Sequence, residues 1–134
     1  MDTSALYKKY VEEPGSDTFE KVLMRAGEIA VSPVTWIEMN AALGRCVRNR
    51  SLPSAQADRL RVEIKKDFVY FSRVLWNDNL EEKAAEIVRK HTLRTLDSIQ
   101  LASAILSESD LFVTSDRKLY TEARTILKHV QWIG

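Results

Sequence analysis

The segment Leu111–Asp116 constrains the fold most strongly, because an uninterrupted strand pattern ends there in a polar corner and a helical pattern follows at once. A strand that is apolar throughout is typical of a parallel sheet whose two faces are both covered. Asp116 then stands at the carboxyl end of the strand, where open α/β sheets bind their ligands. Taken alone, the same residue is better explained as the N-cap of the following helix, and the other carboxylates near this edge decide between the two roles.

Strand and helix patterns alternate along the rest of the chain. Strands are predicted at residues 28–32, 73–76, 111–114 and 129–133. Helical patterns separate these strands and also precede the first one, and Ser32-Pro33 is expected to start the helix after it. This alternation predicts an α/β fold in which a parallel sheet is covered by helices on both faces. We see no internal repeat or linker, so residues 1–134 are expected to form a single domain.

The composition narrows the class of protein. The formal net charge of +1 argues against a general nucleic-acid coat, but it allows an acidic metal site inside a basic rim. The single Cys46 cannot form an internal disulfide, and the two histidines lack the spacing of a zinc site. No apolar run approaches transmembrane length and no signal peptide is visible, so we expect a cytoplasmic protein without membrane association.

Two carboxylates lie on apolar helix faces. Glu38 is too far into its helix to cap it, and Asp97 belongs to the most apolar helix of the chain. Ionised carboxylates on such faces are costly unless they are paired or bound to a metal. A salt bridge, for instance between Asp97 and Arg94, would explain them equally well. Asp2 precedes the first helix and could simply cap it.

Four segments in order carry a resemblance to a known family. They are Asp2–Leu6, Ser32–Glu38, Leu93–Ala102 and Phe112–Arg117. Together they resemble the PIN-domain toxins of the VapC type over nearly the whole chain. The resemblance implies a sheet with strand order 3-2-1-4-5 and four acids at the carboxyl edge of its central strands. Asp2, Glu38, Asp97 and Asp116 match those four positions.

The resemblance also implies a chemistry, which is metal-dependent endoribonuclease activity. Mg²⁺ or Mn²⁺ suits a site built only from carboxylate oxygens. Thr114 and Ser115 are expected to hydrogen-bond a ligating carboxylate, although local turn bonding would explain both residues. RNA needs a positive rim, because phosphates supply much of the affinity. Candidates for that rim are Arg45, Arg94, Arg117 and Lys118.

The same resemblance implies binding partners, and the chain departs from the family pattern at one point. It implies a VapB-like antitoxin bound along the first, second and fourth helices, and a homodimer. Asp78 is a useful control, since it follows the edge strand and should lie outside the site. Only Met1 precedes Asp2, so the central first strand is expected to be truncated in this sequence. Either the sequence begins too late, which we expect, or the strand is nearly absent. Such a gap would leave backbone groups of the neighbouring strands unpaired.

Two other classes of protein compete with the nuclease. A non-catalytic PIN-like module that binds RNA or protein is favoured if the central strand is truly absent. A receiver-like phosphoacceptor domain has the same broad architecture, but it needs a lysine after the fifth strand. No lysine follows the last predicted strand here, so we set that interpretation aside.

Overall fold

A computed structural model describes all residues from 1 to 134 and contains seven α-helices and four short strands. The helices are α1 (Thr3–Leu6), α2 (Ser16–Leu23), α3 (Thr35–Arg48), α4 (Ser54–Asp67), α5 (Asp78–Lys90), α6 (Thr95–Leu106) and α7 (Arg117–Ala123). The strands are β1 (Ala30–Val31), β2 (Ser72–Arg73), β3 (Phe112–Thr114) and β4 (Val130–Trp132). A 3₁₀ turn at Tyr7–Lys9 continues α1. None of the helices combines the length and hydropathy needed to cross a bilayer.

The strands form two separate parallel ladders. In one ladder β1 pairs with β2, and in the other β3 pairs with β4. The parallel arrangement that the alternating pattern predicted is therefore confirmed, and each ladder joins strands that are neighbours in the expected order. In that order strand 1 is the segment before Asp2, and β1 to β4 are strands 2 to 5. No continuous five-stranded sheet is present, so the full order 3-2-1-4-5 stays a prediction.

The first two residues lie between the two ladders. The amino group of Met1 donates to the carbonyl of Ala30 in β1 at 2.8 Å. The amide of Asp2 donates to the carbonyl of Val113 in β3 at 3.0 Å. Burial lowers the pKa of the Met1 amino group to about 6. Two residues thus connect the ladders where a strand of usual length would make more bonds, and truncation of that strand stays a prediction.

Two hydrophobic clusters cover β3 from opposite sides. One consists mainly of residues from α1 to α4, and the other of residues from α5, α6 and α7. Val113 belongs to the first cluster and its neighbour Phe112 to the second. Successive side chains of a strand point to opposite faces, so helices cover both faces of this strand, as the apolar pattern predicted.

The start of α3 differs from the prediction. Ser32 and Pro33 form a turn in which the amide of Thr35 donates to the Ser32 carbonyl at 3.1 Å. The helix begins at Thr35, and Val34 rather than Ser32 occupies the N-cap position. Glu38 therefore lies in the first turn of α3, where the positive end of the helix dipole favours a carboxylate. Glu38 does not cap the helix, as predicted, but it lies closer to the helix start than the predicted start at Ser32 implied.

Candidate active site

The four acidic residues predicted for the site line one cleft of about 830 Å³, together with Glu13. Asp2 precedes α1, Glu38 belongs to α3, Asp97 belongs to α6, and Asp116 follows β3. The control residue Asp78 is exposed at the start of α5 and lies outside this cleft. The fold therefore gathers side chains that are up to 114 positions apart in the chain.

Asp2 is the most deeply buried of the four acids, with an exposed fraction of 4%. Its Oδ2 accepts hydrogen bonds from the Ser4 hydroxyl, from Thr114 Oγ1 at 2.9 Å and from the Ser4 amide at 3.3 Å. The last bond makes Asp2 the N-cap of α1, as one interpretation of the sequence predicted. Burial raises the pKa of the Asp2 carboxyl and the charge of Glu38 raises it further, while the Ser4 and Thr114 hydrogen bonds lower it.

Glu38 is held by uncharged donors from two other elements. Its Oε1 accepts from Thr3 Oγ1 at 2.9 Å and from Gln100 Nε2 at 2.5 Å. Gln100 is 2% exposed and its Nε2 also lies 2.6 Å from Thr3 Oγ1. Sequence reasoning missed Gln100 and Thr3. A signal existed, because Gln100 is three residues after Asp97 and a buried amide on that helix face requires a partner.

Asp97 and Asp116 share a cation. Arg94 Nε donates to Asp97 Oδ2 at 2.9 Å, and Arg94 Nη2 lies 3.4 Å from Asp97 Oδ1 and 3.5 Å from Asp116 Oδ2. Hydrogen bonding to Asp97, with the charges of Asp97, Asp116 and Glu38, raises the pKa of Arg94, and burial lowers it. Asp116 Oδ1 also accepts from the Leu119 amide at 2.9 Å and so caps α7. Both simple roles considered from the sequence, the salt bridge and the cap, are therefore present.

Thr114 and Ser115 differ in their contacts. Thr114 Oγ1 donates to Asp2 and accepts from the Asp116 amide at 3.0 Å, so it links two of the acids. The Ser115 amide donates to Ser4 Oγ at 2.9 Å, whereas the buried Ser115 hydroxyl has no hydrogen-bond partner. The expected bond from Ser115 to a carboxylate is not formed.

The four basic residues proposed for an RNA rim fall into two groups. Arg45 and Arg94 line the cleft, while Arg117 and Lys118 are exposed at the start of α7 and do not. The Arg117 guanidinium lies 4.6 Å from the centre of the Trp132 ring, a stacking contact. Sequence position alone did not separate these two groups.

The donor types in the cleft fit a hard divalent cation, which prefers carboxylate oxygens. Every hydrogen bond to the Asp2 carboxylate is made to Oδ2, and those to the Glu38 carboxylate are made to Oε1. The other oxygen of each side chain is left for a further ligand. No three acidic, histidine or cysteine side chains are grouped closely enough to hold a metal ion as they stand. The Arg94 guanidinium occupies the space between Asp97 and Asp116.

Comparison with known proteins agrees with this fold. Residues 1–124 match the PIN domain, and the chain belongs to that family. Two similar curated proteins are Ribonuclease VapC45 and Ribonuclease VapC49 of Mycobacterium tuberculosis. Each is 27% identical over 125 residues, which span 92% of this chain and 87% of the relative. The resemblance to VapC-type PIN proteins that the four sequence segments carried is thus confirmed.

Proposed function

We propose that this protein is a metal-dependent endoribonuclease toxin that cleaves RNA phosphodiesters in the four-carboxylate cleft. One observation carries the proposal: Asp2, Glu38, Asp97 and Asp116 line a single cleft in a PIN-domain chain. The curated relatives are named ribonucleases, which supports RNA as the substrate. The cytoplasm is where such an enzyme meets its RNA.

The four carboxylates are the groups that would hold Mg²⁺ or Mn²⁺. When bound, the cation supplies a polarised water as nucleophile and positive charge at the departing oxygen. Thr114 and Gln100 orient the ligands through their hydrogen bonds to Asp2 and Glu38. Such supporting bonds fix the carboxylate rotamers, so that the free oxygens face the cleft.

Basic side chains at the cleft bind the RNA backbone in this proposal. Arg45 and Arg94 are placed to contact phosphates next to the acids, because both line the cleft. Arg117 and Lys118 extend the positive surface along the start of α7. Guanidinium groups suit this task since they bind phosphate oxygens through two parallel hydrogen bonds.

The test compares two acid-to-amide variants that change the charge equally. Asp97→Asn removes one carboxylate from the cleft, and RNA cleavage in Mg²⁺ or Mn²⁺ should fall by about 100-fold or more. Asp78→Asn removes an exposed carboxylate outside the cleft and should leave cleavage unchanged. Labelled RNA is incubated with each protein, with metal or with chelator. Equal cleavage by the Asp97 variant and the parent would refute the assignment.

A non-catalytic PIN-like module that binds RNA or protein is the competing function. Two observations favour it: no three acids converge, and Arg94 already neutralises part of the charge. This alternative predicts RNA binding that does not respond to metal and no cleavage under any condition. The same cleavage assay, combined with RNA binding by fluorescence anisotropy, separates the two functions.

Partners form the last part of the proposal. A VapB-like antitoxin is expected to bind across α1, α2 and α4 with an amphipathic segment, and the protein is expected to form a homodimer. Co-expression with a small neighbouring reading frame should relieve growth inhibition and yield a complex. Light scattering during size-exclusion chromatography measures the dimer, and a monomer at all concentrations would refute that part.

A further inference from the structure

Arg94 has an unusual combination of position and exposure. Its guanidinium contacts two of the four acids, yet 74% of the side chain is exposed. The side chains of Asp97 and Asp116 are 11% and 30% exposed. Arg94 is thus the least enclosed member of this group, and no core packing holds its guanidinium in place.

The backbone of Arg94 is fixed while its side chain is not. The Arg94 carbonyl accepts from the Ser98 amide at 3.0 Å and from the Ser98 hydroxyl at 3.1 Å, so the start of α6 is secured without the guanidinium. Exposed ion pairs contribute little to stability, because water screens the attraction and the long side chain loses rotamer freedom. The side chain can therefore leave Asp97 and Asp116 at small cost.

The single charge of the guanidinium is a poor match for the four acids together. Asp2, Glu38, Asp97 and Asp116, when ionised, carry four negative charges, and Arg94 contributes one positive charge. Its hydrogen bonds go to Asp97, and its one further ion pair is with Asp116. A divalent cation brings twice the charge and requires oxygens of the same two carboxylates, so the guanidinium and the cation compete for them.

We propose that Arg94 is an exchangeable counter-ion: it neutralises Asp97 and Asp116 in the metal-free protein, and divalent cation binding releases it to bind an RNA phosphate. This inference rests on the proposed metal site and adds a positioning role for one residue. It also accounts for the failure of the acids to converge while Arg94 lies between two of them.

The first experiment measures Mn²⁺ affinity by calorimetry for the parent and three variants. Arg94→Gln should bind Mn²⁺ about two- to fivefold more tightly, the equivalent of losing one exposed ion pair. Arg94→Lys keeps the charge without the paired hydrogen bonds and should fall between Arg94→Gln and the parent. Arg45→Gln removes a charge from the same cleft, but Arg45 makes no hydrogen bond or ion pair with an acid. Its gain in Mn²⁺ affinity should therefore be clearly smaller.

A second measurement needs no substitution in the protein that is titrated. In the ¹⁵N spectrum, the Arg94 Nε–H resonance should move towards the position of a free arginine as Mg²⁺ is added. Arg94→Lys serves only to assign that resonance. A resonance that stays fixed at saturating Mg²⁺ would overturn the inference, as would equal Mn²⁺ affinity in the parent and Arg94→Gln.

RNA kinetics then test the second half of the exchange. Arg94→Gln should need less Mn²⁺ for half-maximal cleavage. Its KM for RNA should rise several-fold, because the variant lacks the guanidinium that binds a phosphate after release. An unchanged KM would show that Arg94 does not bind an RNA phosphate. If the protein cleaves no RNA while Arg94→Gln still binds Mn²⁺ more tightly, the exchange stands and the ribonuclease function fails.

Discussion

The two halves of the cleft tolerate their charges in different ways. Asp2 and Glu38 are held by uncharged donors, chiefly Ser4, Thr114, Thr3 and Gln100. Asp97 and Asp116 are instead bridged by one exposed arginine. Neutral donors fix a carboxylate without cancelling its charge, whereas a guanidinium cancels charge and occupies the oxygens. In the proposed metal site, the first half is a preformed set of ligands, and the second half becomes available only when Arg94 leaves.

The largest expected effect tests whether these halves belong to one site. Asp2→Asn and Asp97→Asn should each reduce RNA cleavage by about 100-fold or more. The double variant should be scarcely worse than either single one, because residues that act as a unit are not additive. Cleavage rates of the four proteins measure this. Losses that multiply in the double variant would mean that the two halves work independently.

The next effect concerns stabilisation by metal. Mn²⁺ at about one hundred times its Kd should stabilise the folded parent by about 2.7 kcal/mol, since the unfolded chain disperses the acids. For a chain of this size the melting temperature should rise on the order of ten degrees. Asp2→Asn and Asp97→Asn should both reduce that rise, and Asp78→Asn should not. The rise is read from thermal melts with excess Mn²⁺ and with chelator. A full rise in either cleft variant would remove its residue from the metal site.

The smallest effect is a change in the stability of the metal-free protein, and its sign should differ between the two halves of the cleft. At pH 7 Asp2→Asn should stabilise the fold by on the order of 1 kcal/mol, because it removes a buried charge that has no ion pair with a basic side chain. Asp97→Asn should instead destabilise by about 0–1 kcal/mol, the contribution of an ion pair whose arginine is largely exposed to solvent. Thermal melts in chelator measure both changes. The same sign for both variants would contradict the contrast between the halves.

The Asp2 effect should also depend on pH. Since burial is the main cause that raises the folded pKa of Asp2, the carboxyl contributes stability below its unfolded pKa of about 3.8 and loses it as the pH rises through the folded value. The advantage of Asp2→Asn should therefore be small near pH 4 and grow towards pH 7. A pH-independent difference would mean that hydrogen-bond geometry, not charge, explains the effect.

Much of the fold could be predicted from local patterns. The strand at Phe112–Thr114 and the buried helix at Thr95–Leu106 follow directly from runs of apolar residues. The predicted strand at residues 28–32 shrank to Ala30–Val31, because a ladder extends only as far as its partner, and β2 is equally short. That limit depends on pairing between distant segments, which a local pattern does not contain.

The site could be predicted only in part, for a related reason. Asp116 was expected either to cap a helix or to belong to the site. One of its carboxylate oxygens accepts from the Leu119 amide and caps α7, and the other contacts Arg94 in the cleft. The contact between Gln100 and Glu38 joins residues 62 positions apart. Such contacts arise when α3 and α6 pack, so spacing within one helix cannot reveal them.

The most direct test of the account is a crystal structure of the protein grown with saturating Mn²⁺ and examined by anomalous scattering. The account predicts a Mn²⁺ peak in the cleft, ligated by oxygens of both carboxylate pairs, with the Arg94 guanidinium turned away from Asp97 and Asp116. A cleft without Mn²⁺, in which Arg94 still bridges those two acids, would contradict it.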